Sequence, residues 1–189
     1  MSAVVAPVET PVDTKLFKLD LACGQVCQTG FDGVDIADVE GVKHVHDLNV
    51  YPWPFETSSV DEARCSHYLE HLDGAQRIDF MNELWRILKP GAGCLITTPY
   101  AWNNRALGDP THKSMICDWT YYYFNKAWRE ANKLTHGPYA RIVADFDTNF
   151  PWQSIDSAIV QRDANAQAWM MGHYINAVVD LTALVVARK

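Results

Sequence analysis

No apolar run in this 189-residue chain approaches the length of a membrane span, which argues against a helical membrane protein. Basic residues are in the minority: 16 Lys and Arg against 23 Asp and Glu give a formal net charge of -7 and a pI of about 5.4. Without a basic stripe there is no electrostatic footprint for gripping a phosphate backbone, so a nucleic-acid partner is not expected. The opening "MSAVVAPVETPVDT" lacks the basic segment of a signal peptide and carries two acids and two prolines. It reads as a flexible leader, residues 1–14, ahead of one domain over 15–189. The cysteines are odd in number and scattered, at Cys23, Cys27, Cys65, Cys94 and Cys117. That pattern excludes a complete disulfide framework and fits small core residues in a reducing cytoplasm. Internal repeats and low-complexity linkers are also lacking.

What is present is the balance of an ordinary globule, 48% hydrophobic and 21% charged, long enough for one well-buried domain. Short β-branched runs succeed one another: "LFKLDLA" (16–22), "FDGVDI" (31–36), "VKHVHDL" (42–48) and "DEARCSH" (61–67). "GAQRIDFMNELWRILKPG" then carries Ile78, Met81, Trp85 and Leu88 at helical spacing and stops at Pro90-Gly91. "GCLITTP" (93–99) follows as a near-continuous apolar strand. Apolar strands with a helix before the last imply an α/β domain around a mostly parallel sheet. The alternating segments "ARIVADFDTNF" and "INAVVDLTALVVARK" look like an antiparallel pair completing it.

In such sheets ligands bind beyond the carboxyl ends of the strands. Four candidate strands end in residues suited to an adenosyl group. "LDLACG" offers a glycine where backbone must approach a ligand. Asp35 ends the second strand, where a carboxylate can accept both hydroxyls of a ribose. Asp47 ends the third, where an acid can accept from an adenine amino group while Leu48 covers the base. A strand ending in Asp is also a common turn signal, so it is the order and spacing of all four that point to a site.

Together "LDLACG", "GVDI", "HDLNVYPWPFETSSVDEARCSHYLEHL" and "LWRILKPGAG" resemble a class I S-adenosylmethionine-dependent methyltransferase. The likeness is to the compact type-11-like group whose fourth strand runs into an S-H-x-L-E-H turn, and it covers residues 16 to 100. It implies a doubly wound, mostly parallel seven-stranded sheet with an antiparallel C-terminal strand, and S-adenosylmethionine as cofactor. Residue by residue, it sets Ala22, Cys23 and Gly24 against the methionine part and Asp35 on the ribose. Ile36, Asp47 and Leu48 then frame the adenine, and Ser66 and His67 lie beside the transferable methyl. Two departures stand out. Val26 occupies the place of the family's second glycine, and 35 − 24 − 1 = 10 residues separate Gly24 from Asp35. Ten residues are too few for a crossover helix, so the first connection is expected to be a loop or a single turn.

The turn itself, "CSHYLEHL", has a rival reading. On a helix, His67 and His71 share a face with Glu70 between them, as in an H-x-x-E-H zinc hydrolase. The remaining histidines form no second tight pair with an acid at metal spacing, so no metal is expected. Glu70 and His71 are expected to orient the turn. A nicotinamide enzyme wants G-x-G-x-x-G opening a helix, which "GQVCQTG" does not offer. A catalytically silent adenosyl-binding or regulatory subunit would carry the same motifs. On the substrate side, "TPYAWNNRALGDPTHKS" (98–114) leaves the fifth strand at the crevice. Asp109 and His112 of this loop, with His67, are the candidate catalytic residues for a small or medium polar acceptor. The aromatics of "DWTYYYFNKAW" (118–128) are expected in the core rather than around a substrate.

Overall fold

A computed structural model describes residues 15–155 and 161–189; the expected leader lies outside them. Seven strands form one sheet in the order β3-β2-β1-β4-β5-β7-β6. They are β1 (Lys18–Leu21), β2 (Asp32–Asp35), β3 (Val42–Val45), β4 (Val60–Ser66), β5 (Leu88–Pro99), β6 (Phe146–Ile155) and β7 (Val178–Ala187). The first five pair in parallel, and β7 runs antiparallel between β5 and β6. Both the α/β class and the antiparallel last strand follow the reading of the sequence.

The first crossover contains no α-helix, as the ten-residue spacing requires, and the next two crossovers contain none either. The described helix linking two consecutive parallel strands is α1 (Gly74–Ile87), between β4 and β5. Asp73 caps it with a reciprocal capping box: its carboxylate accepts from the amides of Ala75 and Gln76, and Gln76 accepts from the Asp73 amide. Phe80, Met81, Leu84 and Ile87 are buried and join Leu19, Leu21, Val60 and Cys65 in one core cluster. Ile78 and Trp85 only pack against its edge.

Two expectations change in detail. The helix does not run to Pro90-Gly91: β5 begins at Leu88, directly after α1. "KPG" instead forms a bulge in β5, where pairing jumps from Val60↔Leu88 to Glu62↔Gly93 and Gly91 takes a left-handed φ of 77°. The aromatic stretch divides into two short helices, α3 (Asp118–Tyr122) and α4 (Lys126–Ala131), after the earlier α2 (Asn104–Gly108). Asn125 starts the second by accepting from the Trp128 amide. Tyr121 and Phe124 are buried as expected, whereas Trp119 is exposed. A last helix, α5 (Ala164–His173), precedes β7. No described helix is long and apolar enough to cross a membrane.

Candidate active site

The tips of β1, β2, β3 and β4 enclose a cleft of about 350 Å³ lined by Ala22, Asp35, Ile36, Asp47, Leu48 and His67, among others. These are six of the nine cofactor residues expected from the sequence. Of the rest, Cys23 and Gly24 follow Ala22 in the loop after β1, and Ser66 ends β4 beside His67. Gly24 takes a left-handed φ of 59°, and its amide donates to Asp35 Oδ2 at 2.8 Å. The Ala37 amide donates to Asp35 Oδ1 at 3.0 Å. Each carboxylate oxygen has two acceptor positions, so one on each is left for a pair of hydroxyls. Asp47 is oriented in the same way, its Oδ1 accepting from the Asn49 amide at 2.9 Å.

No helix supports the loop after β1; side chains do. Buried Asp20 accepts from the Gln28 amide at 2.7 Å, and Arg64 of β4 donates to the Gln28 side chain at 2.6 Å. Burial raises the Asp20 pKa, partly offset by that amide and by Arg64. The Cys23 and Cys27 sulfurs lie 2.7 Å apart under Gly33. Burial first, then the neighbouring Cys27, pushes the Cys23 thiol up to about 12, so it is protonated at neutral pH and a poor nucleophile.

Ala22 and His67 both adopt left-handed backbone, φ 53° and 55°, at the tips of the adjacent strands β1 and β4. Such conformations cost a non-glycine residue about 1–2 kcal/mol and concentrate where function over-determines the chain. At His67 this turn also decides between the two readings of "CSHYLEHL". The strand ends at Ser66 and a 3-10 turn spans Leu69–His71, so His67 and His71 do not share a helical face. The H-x-x-E-H helix is absent. Buried Glu70 instead lies 3.4 Å from His67 Nδ1, and that partner raises the His67 pKa against the opposing effect of burial.

Asp109 and His112 are not among the residues lining the cleft. The structure sets them beside His71: the His71 and His112 rings meet edge to face with centroids 4.9 Å apart. Backbone bonds fasten this loop to the turn, since the Lys113 and Ser114 amides both donate to the Glu70 carbonyl, at 2.8 and 3.0 Å. The cleft also includes His46, Asn49 and Tyr68, which the sequence reading missed. They are immediate neighbours of Asp47, Leu48 and His67, and that adjacency was the available signal. A larger cavity of about 500 Å³ lies elsewhere, lined by Ile78, Trp119, Tyr123, Phe124, Tyr139 and others. It has no carboxylate to receive a ribose and shares no lining residue with the strand-tip cleft, so size alone does not single out the candidate site.

Residues 19–96 match the family model of the methyltransferase domain. A comparison with curated proteins gives no match. Among solved structures, an S-adenosylmethionine-dependent methyltransferase from Archaeoglobus fulgidus superposes with TM-score 0.60 at 17% identity, covering 92% of this chain and 86% of its own. The YcgJ protein from Bacillus subtilis gives TM-score 0.53 at 15% identity over 93% of each chain. A methyltransferase from Mesorhizobium loti gives 0.53 at 14% identity over 91% of each. Sequence match and fold agree: residues 19–96 match the methyltransferase domain, and the described chain takes the fold of these S-adenosylmethionine-dependent methyltransferases.

Proposed function

We propose that the protein transfers the methyl group of S-adenosylmethionine to a small or medium polar acceptor. The observation that carries this is the convergence of Asp35, Asp47, Leu48 and His67 on one strand-tip cleft, of a size suited to a small ligand. In this reading Asp35 receives the ribose hydroxyls. Asp47 accepts from the adenine amino group, Ile36 and Leu48 cover the base, and the turn at Ala22–Gly24 takes the methionine end. Ser66 and His67 border the methyl. Methyl transfer is an in-line displacement at a sulfonium, so catalysis consists largely of holding the nucleophile about 3–3.5 Å from the methyl carbon. The loop with Asp109 and His112 is assigned to the acceptor side, because it is bonded to the Glu70 carbonyl three residues beyond His67.

Calorimetry tests the assignment. S-adenosylmethionine and S-adenosylhomocysteine should bind one per chain, and NAD should not. Asp35→Ala should raise the dissociation constant roughly 10- to 100-fold, the loss of hydrogen bonds to a charged acceptor. Asp35 also holds the Gly24 amide, so Asp35→Asn serves as the gentler variant, with a smaller loss expected. Unchanged affinity in both would remove Asp35 from the site.

A further inference from the structure

Glu70 is 1% exposed, yet neither of its carboxylate oxygens has a hydrogen-bond partner. Its nearest cation is His67, at 3.4 Å and 41% exposed in its side chain. A buried carboxylate without partners is costly, and structures retain one where a cation compensates it. One ligand atom each from Glu70, His71 and His112 lies within 4.8 Å of the others. The sequence offered no third group near the turn; the fold brings His112 from 41 residues away.

The two imidazoles are arranged as ligands are. His112 Nδ1 lies 3.0 Å from the Ala106 carbonyl, which can only accept, so Nδ1 carries the proton. His71 Nδ1 lies 3.3 Å from the Thr111 carbonyl and 3.2 Å from its hydroxyl oxygen. That hydroxyl donates to Asp109 Oδ1 at 2.6 Å, so it too accepts from His71. Nε2 is therefore the lone pair of each ring; that of His112 lies 3.8 Å from Asp109 Oδ2, beyond hydrogen-bond distance. A ring whose other N–H is held by an oxygen is the usual support of a metal-bound histidine.

We propose that Glu70, His71 and His112 hold a divalent transition-metal ion, with zinc as the best fit to two imidazoles and one carboxylate. Asp109 then acts through Thr111 as a positioning residue for His71. Tetrahedral zinc sets its ligand atoms roughly 3.4 Å apart, so occupation requires side-chain shifts on the order of 1 Å. Three protein ligands leave a coordination position open. Within the methyl-transfer reading, that position takes an oxygen of the acceptor and orients it toward the methyl; the metal site itself does not depend on that reading.

The test uses the full chain stripped with a chelator and titrated with zinc chloride, with manganese chloride in parallel. Zinc should bind one per chain and raise the melting temperature. His112→Ala and Glu70→Gln should each weaken it by about 100-fold or more, beyond the 10- to 100-fold typical of lost supporting partners. Asp109→Asn should fall within that lower range. Intact S-adenosylmethionine binding by calorimetry shows that each variant is folded, and it separates failure of the metal site from failure of the cofactor assignment. If a variant does not fold, the stripped wild-type protein still decides. No saturable zinc binding, or binding unchanged in the variants, overturns the proposal and leaves His67 as the sole balance for Glu70.

Discussion

His67 lines the strand-tip cleft and lies 3.4 Å from the buried carboxylate of Glu70, so its charge state is coupled to that acid. Glu70 raises its pKa above the ordinary 6.5, which fixes the sign of a pH effect. Below 6.5 the ring is charged in the folded and the unfolded chain alike, and the full stabilisation from Glu70 is present. It is lost as pH rises through the higher folded value, because the folded state must then release a proton it binds more tightly. In metal-free protein, urea unfolding across about pH 6 to 9 should therefore show wild type losing stability relative to His67→Ala as pH rises. The half-exposed ring makes the effect modest and sensitive to salt. A wild-type-minus-variant difference that is flat with pH would show that the pair is not charged. That Asp35, Asp47 and His67 share one cleft was legible because they sit at or just past strand ends, where local sequence fixes position. The Glu70–His71–His112 cluster was not, because hydrogen bonds from Lys113 and Ser114 to the Glu70 carbonyl create it, and no local pattern encodes them.

At the level of elements, the short crossover between β1 and β2 shows how packing replaces a missing helix. Gly33 in β2 faces this loop, and its lack of a side chain is what lets the chain close. A Cβ there would meet the Gly41 carbonyl at 2.6 Å and Cys23 Sγ at 2.9 Å, with Cys27 Sγ nearer still. Gly33→Ala should cost about 1–3 kcal/mol in denaturant unfolding, the usual penalty for overfilling a packed site. Adding Cys27→Ala should recover only part of it, because the carbonyl remains in the way. Full recovery would show that the sulfur alone sets the fit; no cost at all would mean the loop is not packed as described. The ten-residue spacing made this crossover readable, since it left no room for a helix. The bulge in β5 was unreadable for the opposite reason. Pro90-Gly91 is a strong helix stop, but Ile87 had already ended α1, and pairing with β4 took up the turn residues. Tertiary pairing overrode a local signal. The aromatic stretch shows the same competition, with Asn125 capping a second helix where periodicity alone suggested continuity.

For the whole molecule, the charge distribution bears on what kind of acceptor can approach. The net charge is -7, and half of the 16 Lys and Arg face neighbouring acids. Lys18 faces Glu62, Lys43 faces Asp32, Lys89 faces Asp61, Arg105 faces Asp180, Arg141 faces Asp79 and Arg188 faces Asp145 and Asp147. Individually these exposed pairs add little stability, but each cancels a charge that could otherwise meet a phosphate. Non-specific grip on a nucleic acid comes almost entirely from such unpaired cations, and it weakens steeply as salt displaces them. A fluorescent single-stranded RNA of about 20 nucleotides should therefore show no anisotropy change with up to about 10 μM protein at roughly 0.15 M salt. A dissociation constant below about 1 μM that fell off with salt, at a log–log slope near −0.7 per phosphate contacted, would contradict this. Such a result would mean that the acceptor carries a phosphate backbone, and the proposal of a small or medium polar acceptor would have to be abandoned. The same measurement with zinc bound isolates the one positive centre the fold could add near the cleft. One ion offers one phosphate contact, so it should change neither the affinity nor its salt slope measurably.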